Sequence, residues 1–216
     1  MSAVGVEEEK RLAARAAAAL VQDGMRVGLG TGSTVAHLLP ALAARGLRLR
    51  CVATSVWTAE TAQRLGLAVE PFDSLDRLDI AIDGADQIAP DGWLIKGGGG
   101  AHTREKVVAA AAERFVVIAS SNKPVARLVP PVPLELLAFG LPATLRAVAP
   151  ATLRDGPPSP DGGVIADHRG EIGDPAELAA RLDAVPGVVG HGLFPPALVS
   201  DVIVARGAQV EHRVIV

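Results

Sequence analysis

Residues 79–106 concentrate the groups of this chain that could do chemistry on a small polar substrate. Asp79-Ile-Ala-Ile-Asp83-Gly84-Ala85-Asp86-Gln87 is followed, after a short polar spacer, by Ile95-Lys96-Gly97-Gly98-Gly99-Gly100-Ala101 and then by His102-Thr103-Arg104-Glu105-Lys106. Each polar group has an ordinary explanation when taken alone. Asp83 or Asp86 could cap a turn, Lys96 could sit in an exposed loop, and Glu105 could be a solvated acid at a helix start. A core cannot explain four consecutive glycines, because glycine contributes no packing and weakens regular structure. Bare backbone does allow N–H groups to approach a ligand closely. Two carboxylates, a lysine, a run of amides and a further glutamate form a compact set suited to removing a proton next to a carbonyl. The charge of the resulting enediolate would be met by prearranged donors.

These groups need elements to hold them. The apolar run 80–82 predicts a buried strand with Asp83 and Asp86 at its carboxyl end, the edge where open α/β sheets bind ligands. An alanine-rich segment, 7–21, has Leu12, Ala16 and Leu20 at helical spacing, and Lys10 reads there as a solvated helix face. A strand over 25–29 feeds Gly30-Thr31-Gly32-Ser33-Thr34 and an apolar helix over 35–44, an arrangement that suits an anion. The alternative is a tight turn with Ser33 or Thr34 capping the helix. The dinucleotide glycine pattern fails at Ser33, and no lysine follows as in a P-loop. A second strand, 47–53, leads into Thr54-Ser55-Val56-Trp57-Thr58 and a helix to residue 65, and residues 67–69 read as a further short strand. A helix over 106–112 and a buried strand over 115–119 complete an alternating series that predicts a parallel sheet covered on both faces.

From Pro124 to Val199 prolines crowd the chain. Helices near 143–149 and 175–182, a strand over 163–167 and another starting at 188 read as a smaller α+β domain. It is inserted before two last strands, 201–205 and 209–216, that rejoin the first sheet. The boundaries expected are 1–126 plus 200–216 for the larger domain and 127–199 for the smaller.

Composition excludes several classes. Net charge is −3 with no basic block, which argues against extended nucleic acid. Aromatics are 3% and tyrosine is absent, so base-stacking platforms are not expected. One cysteine, Cys51, allows no intrachain disulfide and no cysteine-cluster metal site. His37, His102, His168, His191 and His212 show no ligand spacing and read as structural. No stretch of 18 apolar residues and no apolar signal region occurs, so a cytoplasmic protein with no membrane partner is expected.

Taken in order, several segments resemble one family. Gly-Thr-Gly-Ser-Thr at 30–34, Thr-Ser-x-x-Thr at 54–58, Asp-Gly-Ala-Asp at 83–86, Lys-Gly-Gly-Gly-Gly-Ala at 96–101, Thr-Arg-Glu-Lys at 103–106, Ser-Asn-Lys-Pro at 121–124 and Pro-Gly-Val-Val at 186–189 look like ribose-5-phosphate isomerase type A. Gln87 stands where a glutamate is usual, and His102 where leucine is usual. The resemblance implies a Rossmann-like, mostly parallel α/β domain with a smaller inserted α+β, ferredoxin-like lid, assembled as homodimers or homotetramers. It implies interconversion of D-ribose 5-phosphate and D-ribulose 5-phosphate in the non-oxidative pentose phosphate pathway, without a metal or organic cofactor. Glu105 is implied as the base, with Asp83, Asp86 and Lys96 as catalytic partners that also bind the sugar hydroxyls. Substrate contacts are implied at Lys10, Thr31, Gly32, Ser33, Thr34, Gly84, Ala85, Gly97, Gly98, Gly99 and Lys123. Two rival readings share the architecture: a non-catalytic sugar-phosphate sensor, and an isomerase or deaminase acting on an amino sugar phosphate.

Overall fold

The computed structural model describes residues 3–215. In chain order these form α1 (Ala3–Ala18), β1 (Arg26–Leu29), α2 (Val35–Ala43), β2 (Arg50–Ala53), α3 (Val56–Arg64), β3 (Ile80–Gly84), β4 (Gln87–Ile88), β5 (Leu94–Ile95), α4 (His102–Ala110) and β6 (Phe115–Ser120). There follow β7 (Val132–Leu136), α5 (Leu141–Ala147), β8 (Ala151–Leu153), β9 (Val164–His168), α6 (Pro175–Asp183), β10 (Val188–His191), β11 (Leu193–Phe194), β12 (Asp201–Arg206) and β13 (Gln209–Val214). The chain divides into two compact units, Met1–Ala85 with Glu105–Lys123 and Ala197–Val216, and Asp86–Arg104 with Pro124–Pro196. The second unit takes in residues 86–104, a stretch expected in the larger domain. The reason is pairing: β5 bonds to β4 on one side and to β11 on the other.

The first unit is built on a six-stranded sheet in the order β13-β12-β6-β3-β1-β2. Every neighbouring pair is parallel except β12 with β13. β6 is buried along its whole length, as a parallel strand with covered faces must be. The edge hairpin strand β13 is exposed throughout and is polar at Gln209, Glu211, His212 and Arg213. On α1 the fully buried row is Ala13, Ala14, Ala17 and Ala18, while Leu12, Ala16 and Leu20 flank it. The helical register expected from the leucines is therefore rotated. Small alanine side chains let the helix axis approach β6 and β12 closely, and the leucines fill the margins. Residues 67–69 make only an isolated bridge from Val69 to Cys51 rather than a strand.

The second unit runs β7-α5-β8-β9-α6-β10, and its antiparallel sheet has the order β10-β7-β9-β8. That is the ferredoxin-like split βαβ arrangement. Its core gathers Leu134, Leu136, Ala166, Leu178 and Leu182 beneath the two helices. β7 went unread in the sequence because Pro130, Pro131 and Pro133 argue against a central strand. It pairs on both sides nonetheless. Pro133 lies opposite Asp167, and its carbonyl accepts the Gly192 N–H at 2.8 Å. A three-stranded sheet, β11-β5-β4, belongs to the same unit.

Candidate active site

In the first unit the chain passes from β1 through α2 to β2 on one side of β1, then returns to β3 on the other. The carboxyl ends of β1 and β3 therefore flank a topological switch point, where helices leave opposite faces and open a crevice. Asp83 ends β3 there and is 3% exposed. Its Oδ1 accepts the Thr31 N–H at 3.1 Å and the Gly84 N–H at 2.7 Å. Gly30 is obligatory, since a Cβ at that position would fall 1.9 Å from the Asp83 Cγ. Ala85 follows, half-buried.

The Thr54–Thr58 segment acts as a buttress behind this turn. Thr31 Oγ1 lies 2.7 Å from Thr54 Oγ1, and the Thr58 hydroxyl donates to the Gly30 carbonyl at 2.9 Å. Ser55 caps α3 by accepting the Thr58 N–H. Gly32 has φ +128°, with open space where a side chain would go. Gly32 and Ser33 are exposed, and Thr34 makes no side-chain cap on α2. The capping alternative thus fails at Thr34, and the Ala36 and His37 N–H groups bond to the Gly32 and Thr34 carbonyls at 3.0 and 3.1 Å.

Glu105 occupies the first turn of α4 and is 4% exposed. A helix N-terminus favours an anionic side chain there. Lys123 lies half-buried in the turn after β6, its N–H bonded to the Ser120 carbonyl. Lys10 is largely buried along its stem, and its ammonium meets Glu7 at 2.5 Å. One residue absent from the expected set organises this region: Glu9, buried, accepts from Ser121 N–H (2.9 Å), Ser121 Oγ (2.8 Å) and Gly207 N–H (2.7 Å). Burial raises its pKa, but those donors together outweigh it and hold the carboxyl below its ordinary range. Three successive glutamates at 7–9 gave no sign of which one turns inward.

In the second unit the hairpin of β4 and β5 sets Asp86 and Lys96 at its open end, where the Asp86 N–H donates to the Ile95 carbonyl at 2.8 Å. The Asp86 Oδ2 accepts the Gly98 N–H at 2.8 Å. Lys96 is 2% exposed, and its Nζ stands 5.5 Å from the centroid of Phe194, a cation–π distance. Gly97 has φ +109°, and a Cβ there would meet His102 Nδ1 at 2.7 Å and Pro133 Cβ at 2.8 Å. Gly98 and Gly99 are exposed. Arg154 contacts the carbonyls of Gly97 and Gly98 and pairs with Asp167. Neither residue stands near a motif in the sequence. The one available signal was an acid, Asp167, directly after the apolar run Val164–Ala166.

The other groups have structural partners. Arg104 forms a two-point ion pair with Asp161 at 2.8 and 2.6 Å. Gln87 turns away from Asp86: its amide donates to the Val129 carbonyl at 2.8 Å and accepts the Val129 N–H at 2.9 Å. His37, His168 and His212 bond to Glu7, the Val148 carbonyl and Asp201. Among the described residues no group of three His, Cys, Asp or Glu side chains is placed to hold a metal ion, and no helix is long and apolar enough to cross a membrane.

Comparison with known proteins adds an independent line. The family model for ribose 5-phosphate isomerase A (phosphoriboisomerase A) matches residues 50–209. The ribose-5-phosphate isomerase A of Nitrobacter hamburgensis is 47% identical, over 94% of this chain and 97% of that protein. The crystal structure of ribose 5 phosphate isomerase A from Neisseria gonorrhoeae is similar with a TM-score of 0.92 and 31% identity, covering 97% of each chain. A D-ribose-5-phosphate isomerase solved in complex with phospho-erythronic acid is similar with a TM-score of 0.90 and 33% identity, covering 97% of this chain and 99% of that one. With most of its length matched by both sequence and fold, the chain belongs to the ribose 5-phosphate isomerase A family.

Proposed function

We propose that this protein interconverts D-ribose 5-phosphate and D-ribulose 5-phosphate through an enediolate, with Glu105 as the base. The observation that carries the base assignment is a carboxyl almost fully buried in the first turn of α4. Glu105 removes the C2 proton of the open-chain aldose, the C1 carbonyl takes up the electron pair, and the enediolate forms. Return of the proton to C1, with C2–O becoming the carbonyl, gives the ketose without net change in oxidation state. Asp83, Asp86 and Lys96 bind the sugar hydroxyls, assist ring opening and move protons between O1 and O2. The Gly98 N–H holds the Asp86 carboxylate, and the loop's neighbouring amides meet the developing charge, which is where prearranged donors act most strongly.

The 30–34 turn, open at Gly32 and Ser33, holds the phosphate ahead of α2, where N–H groups and helix dipole act together. Lys10 exchanges Glu7 for phosphate oxygen, and Lys123 adds a second cation. A relative that binds phospho-erythronic acid supports this reading. A four-carbon acid phosphate carries two coplanar carboxylate oxygens where an enediolate would carry O1 and O2. The protein works in the cytoplasm, in the pentose phosphate pathway, as a homodimer or homotetramer.

The test is Glu105→Gln. The expected result is a fall in kcat of about 10²–10⁴-fold with KM little changed, and loss of solvent deuterium incorporation at C2 of recovered ribose 5-phosphate. Deuterium entering C2 at the parent rate would refute the assignment of the base.

A further inference from the structure

We infer that Arg154, held in place by Asp167, is a positioning residue that fixes the direction in which the glycine loop presents its amides to substrate. The inference rests on the proposed isomerase reading and concerns residues outside the motifs of the family resemblance. A run of four glycines has the greatest backbone freedom of any sequence, so an amide cradle built from it must be held from outside. Arg154 Nη1 donates to the Gly97 carbonyl at 2.8 Å and to the Gly98 carbonyl at 3.1 Å. The other side of the same guanidinium pairs with both oxygens of Asp167, with Nε to Oδ2 at 3.1 Å. Asp167 lies in β9, opposite Pro133 of β7, within a four-stranded sheet. The guanidinium is therefore anchored to a paired sheet on one side and grips the glycine turn on the other.

The consequence follows from peptide planarity. These peptides are trans, so each N–H points opposite to the preceding carbonyl. With the Gly97 carbonyl turned to Arg154, the Gly98 N–H must point away from it, and it reaches Asp86 Oδ2 at 2.8 Å. With the Gly98 carbonyl also turned to Arg154, the Gly99 N–H must point away as well. The Gly100 N–H closes the turn on the Gly97 carbonyl at 3.0 Å. Arg154 thus decides on which face the Gly98 and Gly99 amides appear, and through Gly98 it restrains the carboxylate of Asp86. A lysine could reach one carbonyl, but it could not hold two carbonyls and a carboxylate in one plane.

The experiment compares the parent with Arg154→Met and Arg154→Lys, measuring kcat and KM for D-ribose 5-phosphate and Ki for 4-phospho-D-erythronate. In Arg154→Met the expected kcat is about 10²-fold lower, the scale of loss when a catalytic group is displaced by about 1 Å. Inhibition by the phosphoerythronate should weaken about tenfold or more while KM changes less than about threefold, because disordered amides lose the charged species selectively. Arg154→Lys should fall between, and added guanidinium ion at millimolar concentration should restore part of the Met variant's activity. Equal weakening of substrate and inhibitor, or no change in either, overturns the inference while leaving the isomerase reading intact. A parent protein without turnover overturns both. If Arg154→Met does not fold, Asp167→Asn keeps the guanidinium but loosens it and should give the same split in smaller measure. An unchanged ratio of Ki to KM in that variant also overturns the inference.

Discussion

Replacing Gly30 by alanine tests the geometry at the switch point more sharply than any change to a charged group. The added Cβ would lie 1.9 Å from Asp83 Cγ, 2.0 Å from Oδ1 and 2.5 Å from Asp83 Cβ. Carbon atoms rest about 3.5 Å or more apart, so the carboxylate must retreat by roughly 1.6 Å. The bonds it accepts from Thr31 N–H at 3.1 Å and Gly84 N–H at 2.7 Å do not survive such a shift. Hydrogen bonds to a charged group are worth about 1.5–3 kcal/mol each, and overpacking adds about 1–3 kcal/mol. Folding stability should therefore drop by about 3 kcal/mol or more, read from urea denaturation at constant m.

Under the proposed function, kcat/KM should also fall about 10²-fold, because a catalytic group is displaced by more than 1 Å. Asp83→Gly removes all three clashing atoms, so adding Gly30→Ala to it should cost little further stability. A Gly30→Ala protein with stability and turnover within about twofold of the parent would refute the claim that Asp83 is clamped against this turn.

Two further outcomes are expected. Gln87→Glu removes the amide donor that reaches the Val129 carbonyl and sets a second acceptor against it; the urea midpoint should fall by the equivalent of about 1–3 kcal/mol, and an unchanged midpoint would show that the bridge is dispensable. Glu9, whose pKa is held low in the folded state despite burial because Gly207 and Ser121 donate to it, contributes stability that is present above its unfolded pKa of about 4.3 and lost as pH falls through its lower folded pKa. The stability gap between parent and Glu9→Gln should therefore be constant near neutrality and shrink below about pH 4; a gap that does not change across that range would contradict the role given to the three donors.

Much of the first unit was legible because its signals are local. Buried parallel strands must be apolar runs, and the turns between strand and helix must carry residues that tolerate close backbone approach. The runs 80–82 and 115–119 and the segment 30–34 declared themselves on those grounds. The second unit was harder to read. Pro133 in a doubly paired strand contradicts local propensity, and only the pairing of β7 with β9 and β10 makes it a strand. The short strands β4 and β5 are two residues each, too brief for any periodicity, and their pairing with β11 moved residues 86–104 into that unit.

The candidate residues divide the same way. Asp83, Asp86, Lys96, the glycines and Glu105 lie within a stretch of 23 residues, from 83 to 105, so their types and order could be weighed together in the sequence. Glu9 and Arg154 could not be found so, because their partners are 112 and 56–57 positions away. The sequence by itself determined which chemical groups the protein owns, the alternation of elements that carries them, and the family they resemble. Only the tertiary structure decided which glutamate of 7–9 turns inward, which face of α1 is buried, and which arginine grips the glycine loop. The reason is physical: side-chain type and local backbone preference are properties of neighbouring residues. A hydrogen bond between distant segments depends on register and packing, which no single stretch of chain encodes.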